Sequence, residues 1–355
     1  MESASPDSPW PEKTLRPFEQ ILPGFWLPFG GARWHCNWRL PNFSNADFVV
    51  LSSFTSWTGQ RLMRSRLRGK RWLFWGERLR TQGSPLKAWL QGQLTAPMNS
   101  AAGIVGIGKQ AEADYVRRFP SVPHFCVPYY CDLAPFLNQQ VTNSPSPLPS
   151  PSEPDWPSGE GVRQVSAGPV TFLFCGQMIA RKGVDLLLTA FNKLITEGVN
   201  ARLLLVGREA ELPRLMALLG PEAKSRIRYE GFQPPEKLSE YFGQADVFVL
   251  PSRHDGWGVV VNQALGAGLP LLCSDAVGAA HDLIEPEVNG LLFPVGDAAA
   301  LHVALRRLAL SPETAVRWGE ASRRKAAEWT PAAGAERWVR VFHSLEAGKP
   351  RMDTN

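Results

Sequence analysis

The sequence predicts an α/β protein built of two Rossmann-like domains. The chain has 355 residues, enough for two domains, and its 44% hydrophobic content is sufficient for two cores. Short apolar runs alternate with helical stretches, which is typical of parallel βαβ units. A Pro/Ser-rich segment, residues 138–169, separates the two alternating regions and predicts an extended linker that forms no core.

The N-terminal domain is predicted to span residues 1–137. Up to about residue 45 the chain is rich in Trp, Pro and Gly and shows no regular period. Beyond it, apolar runs bounded by polar residues indicate strands, and longer amphipathic runs indicate helices. The predicted strands are 47–51, 71–75 and 102–107, and the predicted helices are 57–68, closed by Gly69, and 109–119.

The second domain is predicted to span residues 170–330, followed by a C-terminal helix and tail over 331–355. The alternation is clearer here than in the first half, and the strands are short and almost wholly apolar, as in buried parallel sheets. Strands are predicted at 170–175, 202–206, 227–229, 247–250 and 270–273, with helices at 184–196, 212–219, 237–242 and 259–265.

The composition excludes several classes of protein. No stretch approaches the ~20 apolar residues of a membrane span, and residues 1–13 lack the basic start and apolar core of a signal peptide. The five cysteines are scattered without CxxC spacing, which favours a reducing compartment and argues against a structural zinc site. We therefore expect a cytoplasmic protein.

Two loops in the second half follow predicted strands, where doubly wound folds bind ligands. In CGQMIARKG, Arg181 and Lys182 stand just before a helix, a position that suits a phosphate. In PSRHDGWGV, Gly256 and Gly258 permit close backbone approach to an anion at a helix start. The alternatives are a surface turn with two solvated charges and, for Asp255, a simple N-cap.

These segments resemble the donor domain of the GT-B glycosyltransferases of family 4. The sequences GQMIARKG, LLLVGRE, PSRHDGWGVVVNQALGAGLP, SDAVGAAHDLI and NGLLFPVGD follow the family's motifs in order and spacing. The resemblance covers about residues 170–329, and VPYYCDLAPF resembles more weakly the family's strand exit from the first domain. It implies the GT-B fold, in which two Rossmann-like domains face a cleft, here with the N-terminal one shortened.

The resemblance also implies roles for individual residues. Lys182 and Arg181 would hold the donor diphosphate beside Gly176 and Gln177. Asp255 would contact the donor sugar. The sugar and phosphate would be lined by Gly256, Trp257 and Gly258, the ribose held by Gln263, and the nucleobase placed near Phe232.

The sequence departs from the family pattern at several of these positions. The family's diphosphate arginine is Gln177 here, its first glutamate is Asp255 and its second is Gln263. Each replacement keeps a hydrogen-bonding group. At the N-terminus, Gly24, Gly30 and Gly31 do not define the family's Gly-rich acceptor loop, so either the beginning of the chain is incomplete or the acceptor side is reduced.

The implied activity is retaining transfer of a hexose from a UDP- or GDP-sugar to a glycan or lipid-linked acceptor, in surface polysaccharide synthesis. No cofactor or metal is expected, because the cations would stabilise the leaving diphosphate. The alternative is a catalytically degenerate scaffold subunit that binds a nucleotide sugar or glycan. A nicotinamide-dependent dehydrogenase is excluded, since neither half carries G-x-G-x-x-G with an acidic residue beyond it.

Three other features have ordinary explanations. The run GIVGIGKQ fits a P-loop pattern but lacks the Ser/Thr that holds magnesium, and its apolar interior indicates a strand. The six histidines show no metal-ligand spacing. Glu77 is either a loop charge or a residue facing the cleft.

The N-terminal half is basic. Residues 1–140 carry 16 Lys and Arg against 9 Asp and Glu, whereas the rest carries 22 against 24. The run RLMRSRLRGKRW contributes Arg61, Arg64, Arg66 and Arg68, which predict a peripheral contact with an anionic membrane on its inner face. The alternative is a solvated helix end, and no nucleic-acid recognition module is present.

Overall fold

The computed structural model describes residues 19, 22–29, 32–79, 83–137 and 168–347. These fall into two compact units, one of Met1–Val127 with Arg337–Asn355 and one of Pro128–Glu336. The predicted first boundary lies at residue 137, and residues 331–355 are predicted as a separate helix and tail, whereas the observed units divide at 127/128 and 336/337. Most of the predicted linker, residues 138–167, lies outside the described residues.

The first unit opens with an antiparallel hairpin of β1 (Gly24–Phe29) and β2 (Ala32–Asn37). The sequence predicts irregular structure here, because no apolar alternation marks either strand. The strand register pairs Gly24 with Asn37 and Phe29 with Ala32. Pairing between the two strands therefore forms the hairpin, although neither strand has a clear apolar alternation in its sequence. Gly30 and Gly31 lie outside the described residues.

A parallel sheet follows, in the order β3 (Val49–Leu51), β4 (Trp72–Gly76), β5 (Gly103–Gly106), β6 (His124–Cys126). Helix α1 (Trp57–Arg61) continues as a π-helical turn over Leu62–Arg66, where one long helix is predicted. The remaining helices of this region are α2 (Pro85–Thr95), with a 3₁₀ turn at Ala96–Ser100, and α3 (Lys109–Arg118).

The second unit begins with α4 (Ala134–Leu137) and contains a six-stranded parallel sheet. Its strands are β7 (Val170–Cys175), β8 (Ala201–Val206), β9 (Ile227–Tyr229), β10 (Val247–Leu250), β11 (Leu271–Ser274) and β12 (Gly290–Phe293). Their spatial order is β12-β11-β10-β7-β8-β9, with every pair parallel. The order therefore reverses between β7 and β10, the switch point at which doubly wound sheets bind ligands.

The helices of this unit lie between these strands and, for α11 and α12, after the last one. They are α5 (Val184–Thr196), α6 (Leu212–Ala217), α7 (Pro221–Ser225), α8 (Pro235–Gly243), α9 (Val260–Gly266), α10 (Ala280–Leu283), α11 (Ala298–Ala309) and α12 (Pro312–Ala326). All six residues of β8 and all four of β10 are buried, as expected of strands covered on both faces.

The last helix, α13 (Pro331–Glu346), contributes to the core of the first unit. Val341 is fully buried with Leu73, Val105 and Phe125 of the parallel sheet, and Trp338 and Phe342 pack beside it. The C-terminal part of the chain thus supplies part of the first core, which explains why the observed first unit includes the residues from Arg337 onward. The α/β fold class predicted from the sequence is confirmed.

Candidate functional site

The candidate site is formed by loops that follow β7 and β10, the two strands at the switch point. We call residues 176–183 the β7 loop and residues 251–258 the β10 loop. The strands are parallel neighbours, with Phe172 paired to Val247, so both loops leave the same edge of the sheet. Arg253 N–H donates to the Arg181 carbonyl at 2.8 Å, which joins the two loops.

A close backbone approach holds the loops together at the start of α5. Gly183 has a positive φ of 72°, and a Cβ built on it would lie 1.9 Å from the Pro251 carbonyl oxygen. Only glycine fits this position, because the conformation is left-handed and the space is occupied by backbone. The glycine after Lys182 therefore allows the two loops to touch.

An ion pair between the loops is the central feature of the site. Lys182 Nζ lies 2.5 Å from Asp255 Oδ2, and the two side chains are 16% and 12% exposed. Both are predicted site residues that lie 73 positions apart in the sequence, and the structure brings them into direct contact. A shielded ammonium fixed by a carboxylate is a preorganised charge that can face an anion.

The charge of Lys182 also acts on Cys175 at the end of β7. Burial raises the pKa of the Cys175 thiol to about 12, and the nearby ammonium partly opposes that rise. The thiol is therefore protonated at neutral pH.

Two arginine side chains form hydrogen bonds that join the β10 loop to the β7 loop and to the start of α5. Arg181 Nη1 donates to the His254 carbonyl at 3.1 Å. Arg253 donates hydrogen bonds from both terminal nitrogens to the Asp185 carboxylate, each at 2.7 Å. Its Nη1 also donates to the Ala180 carbonyl at 2.6 Å. The hydrogen bonds from Arg253 to Asp185 lower the pKa of that carboxyl below its ordinary value. Arg253 is not among the site residues predicted from the sequence. Its only signal in the sequence is its position within the segment PSRHDGWGV.

The loop between β11 and α10, residues 275–279, is attached to the β10 loop by backbone hydrogen bonds. Asp255 N–H donates to Ala276, Gly278 N–H donates to Asp255, and Ala279 N–H donates to Trp257. These bonds fix the backbone on either side of Asp255. Gly258, with φ of 90°, then turns the chain toward α9.

The side chain of Trp257 does not line the site. It is 1% exposed, stacks on Trp329 and contacts Tyr129 edge-on. Its indole N–H donates to Asn262 Oδ1 at 2.8 Å, and Asn262 Nδ2 donates to the Tyr129 carbonyl at 3.2 Å. Trp257 can therefore contribute to a ligand site only through its backbone.

The other predicted residues lie around this centre. Gly176 N–H donates to the Val206 carbonyl at 2.9 Å, which places the start of the β7 loop beside β8. Gln177 is exposed and Gln263 is half-buried on α9, and neither side chain hydrogen-bonds within the described part of the chain. Phe232 is 38% exposed in the loop after β9.

The four arginines predicted to contact a membrane lie in the first unit. Arg61 donates to the Asn37 carbonyl and Arg64 donates to the Gln93 carbonyl. Arg64, Arg66 and Arg68 are all exposed.

In the ranges that the structure describes, no three His, Cys, Asp or Glu side chains are grouped as metal ligands. The helices of those ranges include none with the length and apolarity of a membrane span.

Comparison with known proteins agrees with this architecture. Residues 162–325 match the family described as glycosyl transferases group 1. The amylovoran biosynthesis glycosyltransferase AmsK of Erwinia amylovora is 29% identical over 154 residues, which are 41% of this chain and 38% of the relative. A GDP-mannose-dependent alpha-mannosyltransferase of Mycobacterium tuberculosis is 35% identical over 124 residues, which are 35% of this chain and 30% of the relative. The matched regions thus span well under half of these relatives' lengths.

Solved structures share the fold over most of the chain. Sucrose-phosphate synthase from Thermosynechococcus elongatus has a TM-score of 0.66 at 23% identity, covering 85% of this chain and 74% of that one. WaaG, a glycosyltransferase involved in lipopolysaccharide biosynthesis, has a TM-score of 0.56 at 18% identity, covering 79% and 80%. The fold is therefore that of the GT-B glycosyltransferases. The range that matches the group 1 glycosyl transferases, residues 162–325, belongs to the second unit.

Proposed function

We propose that this protein is a retaining glycosyltransferase of family 4 that moves a hexose from a nucleotide-diphosphate sugar to a glycan or lipid-linked acceptor. The observation that carries the proposal is the shielded Lys182–Asp255 pair at the switch point, formed by two loops that resemble the family's donor motifs. The group 1 match over residues 162–325 supports the same class.

Each residue has a role in this proposal. The ammonium of Lys182 and the guanidinium of Arg181 stabilise the diphosphate as the bond to the anomeric carbon breaks. Asp255 accepts hydrogen bonds from the donor sugar. Backbone at Gly256, Trp257 and Gly258 lines the sugar and phosphate, Gly176 and Gln177 border the diphosphate, Gln263 binds the ribose, and Phe232 lies beside the base.

Transfer proceeds through an oxocarbenium-like state. The electron pair of the breaking bond leaves with the nucleotide diphosphate, the acceptor hydroxyl oxygen attacks the anomeric carbon from the same face, and the hydroxyl proton passes to the departing phosphate oxygen. Charge develops on the leaving phosphate, so a preorganised cation lowers the barrier more than it strengthens ground-state binding.

The acceptor class rests on the relatives. AmsK is named for amylovoran biosynthesis, and WaaG is described as involved in lipopolysaccharide biosynthesis. We infer a related acceptor, glycan or lipid-linked, for this chain. We also propose a cytoplasmic location with peripheral membrane contact through Arg61, Arg64, Arg66 and Arg68, and no nucleic-acid partner is expected.

The second candidate is a scaffold that binds nucleotide sugar without turnover. The neutral Gln263 and the shortened Asp255 favour it, because both replace family glutamates. A panel of UDP- and GDP-sugars, screened by thermal shift and then by hydrolysis, distinguishes the two. A donor that stabilises the protein and is hydrolysed supports the enzyme, whereas stabilisation without hydrolysis or transfer supports the scaffold.

Metal-independent chemistry is the expected result of a chelation test. Because cationic side chains replace a divalent ion at the diphosphate, excess EDTA should leave the rate of donor hydrolysis unchanged. Complete loss of activity in EDTA, restored by manganese or magnesium, would contradict the proposed role of Lys182 and Arg181.

A further inference from the structure

Lys182 lies in a short 3₁₀ turn, Ala180–Lys182, at the end of the β7 loop. Within this segment Lys182 N–H donates to the Ile179 carbonyl at 2.9 Å, and Gly183 N–H donates to the Ala180 carbonyl at 3.0 Å. Such short 3₁₀ segments have poorer hydrogen-bond geometry than an α-helix. The position of the Lys182 side chain therefore depends on the contacts that other parts of the chain make with this turn.

Arg253 makes those contacts on both sides of Lys182. Its backbone N–H donates to the Arg181 carbonyl at 2.8 Å, and its Nη1 donates to the Ala180 carbonyl at 2.6 Å. These are the two residues that directly precede Lys182 in the sequence. The guanidinium also binds both carboxylate oxygens of Asp185, in the first turn of α5, at 2.7 Å. One arginine thus fixes the chain before and after Lys182.

The same arginine belongs to the loop that carries Asp255. Arg253 stands two positions before Asp255 in the β10 loop, and Arg181 Nη1 donates to the carbonyl of His254, the residue between them, at 3.1 Å. Each loop therefore holds the backbone of the other. A displacement of either loop would change the 2.5 Å contact between Lys182 Nζ and Asp255 Oδ2.

The pair of Arg253 and Asp185 affects geometry more than stability. Its two parallel hydrogen bonds fix the orientation of both side chains, as a single contact between point charges does not. The side chains are 37% and 33% exposed, so solvent screening limits what the pair adds to the free energy of unfolding. Its main effect is to fix the residues on either side of Lys182.

We propose that Arg253 is a positioning residue for the sugar transfer. Through the turn that it holds, Arg253 keeps the Lys182 ammonium where negative charge develops on the leaving diphosphate, and Asp185 orients the Arg253 guanidinium. A misplacement of about 1 Å at a reacting centre can cost ~10²-fold in rate. This role rests on the proposed function, because Arg253 acts on the donor only through Lys182.

Steady-state hydrolysis of the donor found in the panel tests the role. Arg253→Ala should lower kcat at least about tenfold and change the donor KM less than about twofold, because the positioned cation acts mainly on the transition state. Arg253→Lys should recover only part of the rate, since an ammonium does not reproduce the bidentate contact. Asp185→Asn should have a smaller effect than Arg253→Ala, because both carbonyl contacts of Arg253 remain.

Combining two substitutions tests whether Arg253 acts through Lys182. In a Lys182→Ala protein, the further change Arg253→Ala should lower kcat less than about twofold, because the charge that Arg253 positions is already absent. A merely structural arginine would lower kcat by the same factor in both backgrounds. That result would overturn the proposal.

The matched control is Arg307→Ala. Arg307 donates from both terminal nitrogens to the Glu287 carboxylate at 2.6 and 2.5 Å, with side chains 44% and 56% exposed. Among the described residues, neither side chain hydrogen-bonds to the β7 loop or the β10 loop. Arg307→Ala should have wild-type kinetics, and its thermal unfolding should change about as little as that of Arg253→Ala. An equal loss of kcat in the two variants would contradict a specific role for Arg253.

Chemical labelling of Lys182 requires no donor. The full chain is acetylated with an N-hydroxysuccinimide ester, and peptide mass spectrometry compares the shielded Lys182 with the exposed Lys193. Relative to Lys193, Lys182 should react severalfold faster in Arg253→Ala than in wild type and at the wild-type rate in Arg307→Ala, because only the first change loosens the turn. Unchanged labelling in Arg253→Ala would overturn the proposal. Absence of hydrolysis by the wild type would instead refute the proposed function, and labelling would still decide whether Arg253 positions Lys182.

Discussion

Lys182 is the residue on which the proposed chemistry depends most. We predict that Lys182→Ala lowers the rate of donor hydrolysis or transfer by ~10²–10³, the usual cost of removing one preorganised charge from a developing anion. Lys182→Arg should retain part of the rate, because it keeps the charge but changes its position. Steady-state kinetics with the donor identified in the panel provides the measurement.

The control for Lys182 is Lys193→Ala, which removes an exposed lysine from the same region, on α5. It should have wild-type kinetics. Thermal unfolding of Lys182→Ala must be followed too, since the variant leaves Asp255 shielded without its partner. Near-normal turnover by a folded Lys182→Ala protein would remove the site from the proposed mechanism.

Gln263 offers a second test at a single residue. Its amide is half-buried on α9, at the position where the family has a glutamate. Gln263→Glu should bind donor as well as wild type or up to about tenfold more tightly, because charge-assisted hydrogen bonds to the ribose hydroxyls outweigh desolvation. Isothermal titration with the free nucleotide diphosphate measures this affinity.

Gln263→Leu is the matching control, since it keeps the side-chain volume and removes both hydrogen-bonding groups. It should bind the nucleotide more weakly than wild type. If Gln263→Glu binds much more weakly and Gln263→Leu binds normally, Gln263 does not face a ribose.

At the scale of elements, the contact between α5 and the β10 loop gives a pH-dependent prediction. Arg253 donates two hydrogen bonds to Asp185, which lies in the first turn of α5, where an acidic side chain also complements the helix dipole. The pKa of Asp185 in the folded state therefore lies below its ordinary 3.8. A lowered pKa stabilises the fold above the unfolded value, and this contribution is lost as pH falls through the folded value.

Asp185→Asn should thus lower the free energy of unfolding at neutral pH by less than about 1 kcal/mol, a value limited by solvent screening. The difference should shrink toward zero as the pH falls below 4, where wild type also loses the charge. Urea unfolding across this pH range measures it. Glu313→Gln, in the first turn of α12, is the control for the dipole effect alone and should have a smaller effect. A difference independent of pH would exclude the ion pair as its cause.

Elements with a strong local pattern were predictable from the sequence. Strands β7, β9 and β10 and helix α5 have the predicted bounds, because each is an apolar run or amphipathic segment with clear ends. The β1–β2 hairpin and α2 were not predicted. The hairpin depends on pairing between two weak strands, and α2 directs its apolar face to solvent, so neither leaves a core-facing pattern in the sequence.

The same distinction applies to the candidate site. Lys182 could be named because a charged loop between a strand and a helix marks a ligand position, and Asp255 because its segment resembles a family motif. The partner of Arg253 is Asp185, 68 positions away, and Asn262 reaches Tyr129 across 133 positions. Such contacts arise from tertiary packing, as does the inward orientation of Trp257, and no local pattern indicates them.

At the scale of the whole molecule, the first unit depends on the C-terminal end of the chain. Helix α13 places Trp338 edge-on against Trp75, with ring centroids 5.5 Å apart, and Phe342 against Phe48 at 5.0 Å. Fully buried aromatic side chains cost ~3–5 kcal/mol when cut to alanine. These two are only partly buried, so each should contribute less than that to the first unit.

We predict that Phe342→Ala selectively destabilises the first unit. Amide hydrogen exchange should become faster in β4 and β5, whose residues Leu73 and Val105 share a core with α13, and stay unchanged in β8 and β10 of the second unit. Val339→Ala, a half-exposed position on the same helix, is the control and should leave both units as they are. Donor-induced thermal stabilisation should persist in Phe342→Ala, because the proposed donor residues all belong to the second unit. Uniform acceleration of exchange in both sheets would mean that the units unfold as one body, and the selective role of α13 would be wrong.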